Sequence, residues 1–129
     1  MLAVDTNVLV RILVDEPGAA AEAAVARKLL AEESRVFIPD ISLVEAIWVL
    51  RESYGFGKEA LLGAFVHLLE NEGFVWGEWE TVSKALGLFT SYNVDFADCL
   101  ILAKAESAGA TLATFDRKLA RIEGVRRLP

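Results

Sequence analysis

An open α/β domain, with a mostly parallel β-sheet of about four to five strands flanked by helices on both faces, is the fold the sequence predicts. Three observations predict it. Short apolar runs such as "MLAVD", "RVFIP" and "TLATF" alternate with longer segments of helical spacing. Strands separated by helices pair in parallel, because a parallel crossover needs a connection of a dozen residues or more. No linker, repeat or low-complexity stretch breaks the 129 residues, which suit one ordinary domain, so 1–129 is expected to be a single domain.

Taken in order, "MLAVD" is a strand that stops at Asp5 and "TNVLVRIL" a short helix. "GAAAEAAVARKLLAEE" has strong helix propensity, with Val25, Leu29 and neighbouring alanines expected on its apolar face. "RVFIP" is a strand ended by Pro39, "DISLVEAIWVLRESYG" a helix closed by Gly55, and "KEALLGAFVHLLENEG" a helix closed by Gly73. "FVWG" is a short strand, followed by helices at "EWETVSKALGLFTSY" and "DFADCLILAKAESAG". The strand "TLATF", a short helix at "RKLARI" and a last strand "VRRL" complete the chain. Sheets of this kind place their sites in the crevice beyond the carboxyl ends of the strands.

Composition excludes several classes. Apolar residues make up 54% of the chain and mean hydropathy is +0.39. Yet uncharged stretches such as "ALGLFTSYNV" reach only about 10 residues, against the ~20 of a membrane-spanning helix. No basic segment leads into an apolar run at the start, so a soluble, cytoplasmic protein without a membrane partner is expected. The lone Cys99 has no disulfide partner and lies in the apolar "CLILA", as a small buried hydrophobe does. Net charge is −6, unevenly spread. Residues 1–103 carry 7 basic and 16 acidic side chains, whereas 104–129 carry 6 basic and 3 acidic. The basic end suits either a phosphate-facing rim or a solvated surface.

The acidic residues carry the chemistry, and each also has a structural explanation. Asp5 can cap the helix that follows the first strand. Ser42 and Glu45 in "SLVE" fit a capping box. Asp95 and Asp98 in "DFAD" can cap and favour a first helical turn, and Asp116 in "TFDRKL" can cap the next short helix. Jointly they suggest more. Helical spacing sets Glu45 with Ile41, Trp48 and Val49, and Asp98 with Val94, Ile101 and Leu102, where a carboxylate is costly. Several such acids in one crevice repel one another unless a cation compensates. With one histidine and one cysteine in the chain, a soft-metal site is excluded. An oxygen-bound Mg²⁺ or Mn²⁺ fits best.

The blocks "VDTNVLVRIL", "SLVEAIWVL" and "DFADCLILAKAESAGATLATFDRKL", in that order and across almost the whole chain, resemble PIN-domain ribonucleases. Within that family they most resemble VapC-type toxins of toxin–antitoxin pairs. The resemblance implies that Asp5, Glu45, Asp98 and Asp116 are the acidic catalytic and metal-site positions, all four intact. It also implies that Asn7 and Thr114 help hold the acidic cluster, and that Asp95 is a cap or an outer metal contact. The expected activity is RNA phosphodiester hydrolysis leaving 5′-phosphate and 3′-hydroxyl ends. The expected partners are a single-stranded or structured RNA, a second copy of the chain, and a cognate antitoxin whose peptide lies in a groove and blocks the acidic pocket.

An acidic pocket repels RNA, so cations beside it must hold the substrate. Arg11, Lys104, Arg117, Lys118 and Arg121 flank the acidic blocks and are candidates for that rim. His67 sits mid-helix, away from every acidic block, and is not expected to act as a base. "ALLGAFVHLL" and "ALGLF" suit either core or a partner surface. A catalytically silent RNA-binding or interaction module is the main alternative, although its mark would be a lost acid. A receiver-type phosphoacceptor domain would need a pair of acids after the first strand, where Asp5 stands alone. A haloacid-dehalogenase-type phosphatase would need D-x-D-x-T, and the chain has Asp5-Thr6-Asn7-Val8-Leu9.

Overall fold

The computed structural model describes residues 1–129, which divide into two compact units, 1–77 and 78–129. In the first, β1 (Leu2–Ala3), β2 (Val36–Ile38) and β3 (Phe74–Trp76) form a three-stranded ladder in that order. Both pairings are parallel, with Leu2 opposite Val36 and Phe37 opposite Val75. Their connections are helical: α1 (Thr6–Leu13) and α2 (Ala20–Glu32) join β1 to β2, and α3 (Asp40–Tyr54) and α4 (Lys58–Leu69) join β2 to β3. In the second unit, α5 (Trp79–Ser91) and α6 (Phe96–Ser107) precede β4 (Ala113–Thr114) and β5 (Arg126–Arg127). These last two strands also pair in parallel, Thr114 opposite Arg127, around a 3-10 turn at Leu119–Arg121. The five expected strands are therefore present, in ladders of three and two.

Buried side chains follow from the apolar spacing. In the first unit Leu9, Leu43, Leu50, Phe65 and Leu68 are at most 1% exposed. "ALLGAFVHLL" gives one face to the core through Leu61, Ala64, Phe65 and Leu68, with Val66 and Leu69 left at the surface. In the second unit Leu102, Leu119 and Ile122 form a cluster against Leu88, Val94, Leu112 and Val125. Phe89 and Phe96 meet edge to face at 5.8 Å, joining the end of α5 to the start of α6. Cys99 is fully buried, as its apolar run predicts.

Two expectations fail locally. The buried side of α2 is alanine, Ala23 and Ala26, continuing Ala19 of the preceding 3-10 turn, whereas Val25 points to solvent. Gly55 closes α3 in the left-handed region at φ 68°, but α4 ends at Leu69, before Gly73. Gly73 serves a close approach instead: a Cβ there would lie 3.2 Å from the Ser34 carbonyl oxygen, and its own carbonyl accepts from Val36 N–H at 2.8 Å. No helix is long and apolar enough to cross a membrane.

Candidate metal centre

In the first unit the site residues collect at the carboxyl end of β1. Asp5 lies two residues beyond β1, with extended backbone, and caps α1, its Oδ1 accepting from Val8 N–H at 3.0 Å. The capping expectation holds there, and one carboxylate oxygen lies outside that bond. Two hydroxyls, Ser42 in a role other than the cap expected of it and Thr6, which the sequence reading did not single out, then tie α3 to the first strand and α1. Ser42, 8% exposed, donates to the Val4 carbonyl at 3.0 Å, tying the first turn of α3 to the end of β1. A buried hydroxyl must find such a partner. One turn further along α3, Glu45 Oε2 accepts from Thr6 Oγ1 at 2.8 Å. Thr6 thus follows one acid in the chain and hydrogen-bonds the other.

The capping box expected of Ser42 and Glu45 does not form. Proline occupies the N-cap position at Pro39 and α3 already begins at Asp40, so Ser42 lies inside the helix and turns to Val4. Two of the three apolar companions expected to bury Glu45 are exposed, Ile41 at 69% and Trp48 at 58%, and Glu45 itself is exposed. Glu45 therefore escapes most of the burial cost that its spacing suggested.

In the second unit Asp95 occupies the N-cap position of α6, but its side chain makes no capping hydrogen bond, contrary to the capping expectation. Asp98, in the first turn, is half-buried. Burial, and then the negative charges of Asp95 and Asp116, hold its carboxyl above the usual range. Asp116 does cap: its Oδ1 accepts from Lys118 N–H at 2.7 Å and Leu119 N–H at 3.0 Å. Its own N–H donates to Thr114 Oγ1 at 3.0 Å, so Thr114 fixes the turn that carries the acid.

Other candidates are placed differently. Asn7 is exposed on α1 and, with Val8, Arg11, Val25 and Leu29, lines a groove of about 450 Å³ between α1 and α2. Arg11 is committed within its unit, donating to Glu22 at 3.0 Å, Glu16 at 3.2 Å and Tyr54 Oη at 3.2 Å, while Tyr54 donates to Glu16 at 2.7 Å. A guanidinium so engaged is poorly placed to hold RNA phosphates, which weakens its assignment to the rim. Lys104 pairs with Glu78 at 3.4 Å. Arg117, Lys118 and Arg121 are exposed and form no ion pair. His67 is exposed on α4 and lines a separate polar groove with Glu70 and Glu72.

Asp5, Glu45, Asp98 and Asp116 have no lysine or arginine ion-pair partner. Within neither unit do three His, Cys, Asp or Glu side chains close around an ion-sized space. The donor chemistry nevertheless fits a hard divalent cation, since every candidate ligand atom is a carboxylate oxygen.

The match to known families runs through both units. The PIN domain family model matches residues 2–125, and the chain belongs to the PIN domain family. Curated proteins offer no match. Among solved structures, the chain is similar to VapC20 of Mycobacterium tuberculosis, described as a Sarcin-Ricin loop cleaving toxin, at 15% identity and TM-score 0.46, covering 100% of both chains. It is also similar to a toxin–antitoxin complex from Klebsiella pneumoniae, at 21% identity and TM-score 0.36, over 96% of this chain and 93% of that one. A third is VapBC2 from Rickettsia felis bound to a promoter DNA fragment, at 21% identity and TM-score 0.39, over 98% and 96%.

Proposed function

We propose that this PIN domain, 1–129, is a metal-dependent endoribonuclease and the VapC-type toxin of a toxin–antitoxin pair. The observation that supports the reading is that Asp5, Glu45, Asp98 and Asp116, the four acids that the sequence resemblance puts forward as metal-site positions, are all present and none is neutralised by a basic side chain. Asp98 already feels the negative charges of Asp95 and Asp116, a repulsion that a bound cation would relieve. Asp5, Glu45, Asp98 and Asp116 would hold one or two Mg²⁺ or Mn²⁺ ions. Bound there, the metal supplies the positive charge that polarises the scissile phosphate and lowers the pKa of an attacking water.

The chain's own residues do the rest. Thr6 fixes Glu45 and Thr114 fixes the Asp116 turn, so the carboxylates meet their ligand without reorganising. Exposed Arg117, Lys118 and Arg121 offset the repulsion between an acidic site and the RNA backbone. Hydrolysis leaves 5′-phosphate and 3′-hydroxyl ends. The reading includes a cytoplasmic homodimer and an antitoxin peptide that covers the acidic residues. Its test is cleavage of a mixed RNA pool with Mg²⁺ or Mn²⁺: activity should vanish with EDTA and fall at least about 100-fold in Glu45→Gln and Asp116→Asn. Cleavage that persists in EDTA would overturn it.

A further inference from the structure

Phe115 is the most exposed large hydrophobic residue of the chain, at 73%. Its segment shows that this is not a shortage of core. In "TFDRKLARI", Leu119 and Ile122 are each 4% exposed and belong to the apolar cluster of their unit, while the phenyl ring between Thr114 and Asp116 is left in water. The backbone that presents it is fixed on its carboxyl side: Asp116 N–H donates to Thr114 Oγ1 across the bend at Phe115, and Asp116 Oδ1 accepts from Lys118 and Leu119 N–H. Immediately after come Arg117 and Lys118, exposed and without ion-pair partners, with Arg121 beyond them.

We infer that Phe115 is a stacking platform for one unpaired nucleobase of the RNA substrate, an inference that rests on the ribonuclease reading above. An aromatic face beside free cations suits a single strand, because bases stack on the ring while Lys and Arg hold the flanking phosphates. An exposed ring followed in the chain by Asp116, Arg117 and Lys118 sits in a polar, charged segment rather than an apolar one, which favours a base over a second chain. The position next to Asp116 makes Phe115 a substrate-positioning residue. The platform is tolerant of sequence, since every base has a face to stack. It discriminates against a strand whose bases are all paired, so cleavage falls in loops and single-stranded segments.

The test is binding of a short, labelled single-stranded oligoribonucleotide of mixed sequence by the full chain, read as fluorescence anisotropy with Ca²⁺ present, together with its sedimentation. Phe115→Leu keeps an apolar side chain but has no aromatic face. It should bind about five- to 150-fold more weakly, the range that one stacked base is worth. Phe115→Trp should bind within about twofold of wild type. The slope of log affinity against log salt should stay unchanged in both, whereas Arg117→Ala and Lys118→Ala should each reduce it by about 0.7. Wild-type binding by Phe115→Leu, in a protein that does cleave RNA, overturns the stacking platform alone. So does a loss in Phe115→Leu that accompanies a change in oligomeric state, which makes the ring a protein contact. A wild type that neither binds nor cleaves RNA overturns both this inference and the ribonuclease reading.

Discussion

Thr6 Oγ1 donates to Glu45 Oε2 at 2.8 Å, across 39 residues of sequence, so the first residue of α1 positions an acid on α3. The same residue follows Asp5, and one threonine thereby relates two of the four acids of the proposed metal centre. Thr6→Val keeps the shape of the side chain and removes the donor. It should lower Mn²⁺ affinity or RNA cleavage about 10- to 100-fold with little change in Tm, the usual effect of losing a partner that orients a ligand. Thr6→Ser should restore most of it. Titration of Mn²⁺ by the three proteins, followed by cleavage assays, checks this.

Ser42 acts on the fold rather than on the acids. Ser42→Ala leaves the buried Val4 carbonyl without its side-chain donor, which should cost about 1–3 kcal/mol in urea unfolding. Unchanged stability would mean that β1 and α3 keep their relationship without this bond.

Asp98 should trade stability for function. Its carboxyl is held above the ordinary 3.8 by burial and by Asp95 and Asp116. A carboxyl raised in the folded state favours folding while protonated, and that advantage is lost as pH climbs from the unfolded value through the folded one. At neutral pH the ionised group therefore opposes folding. Asp98→Asn should raise Tm at pH 7 in metal-free buffer, flatten the dependence of Tm on pH above 3.8, and abolish cleavage. A lower Tm in differential scanning calorimetry would contradict this sign.

Much of this was legible in the sequence, and the misses share a cause. The bounds of α1, the stop of α3 at Gly55 and the cap at Asp5 depend on local chemistry, which a short window of residues contains. The capping box at Ser42 and Glu45 was misread because an S-x-x-E spacing does not reveal where a helix starts; Pro39 and the distant Val4 carbonyl decided it. Gly73 resembled a helix cap, yet its lack of a side chain serves its approach to Ser34, which no local pattern shows. Thr6 was hidden for the same reason, since its partner lies on another helix. A threonine within a D-T-N block was the available signal.

Arg11 and Arg121 should separate cleanly. Arg11→Ala breaks the network with Glu16, Glu22 and Tyr54, so it should lower Tm while leaving the salt dependence of RNA binding unchanged. Arg121→Ala should leave Tm alone and reduce the salt slope by about 0.7. Thermal melts and RNA titrations at several salt concentrations distinguish a fold contact from a phosphate contact.

Asp5 offers the most direct test, because Asp5→Asn separates its two roles. Asparagine caps helices as well as aspartate does, so the bond to Val8 N–H and the fold should survive. The negative charge that a divalent cation requires is lost. Wild-type protein freed of any inhibitor and supplied with Mg²⁺ should cut RNA to leave 5′-phosphate ends, and Asp5→Asn, with an unchanged Tm, should cut at least about 100-fold more slowly. Equal cleavage by the two proteins would reduce Asp5 to a helix cap and contradict the metal centre proposed here.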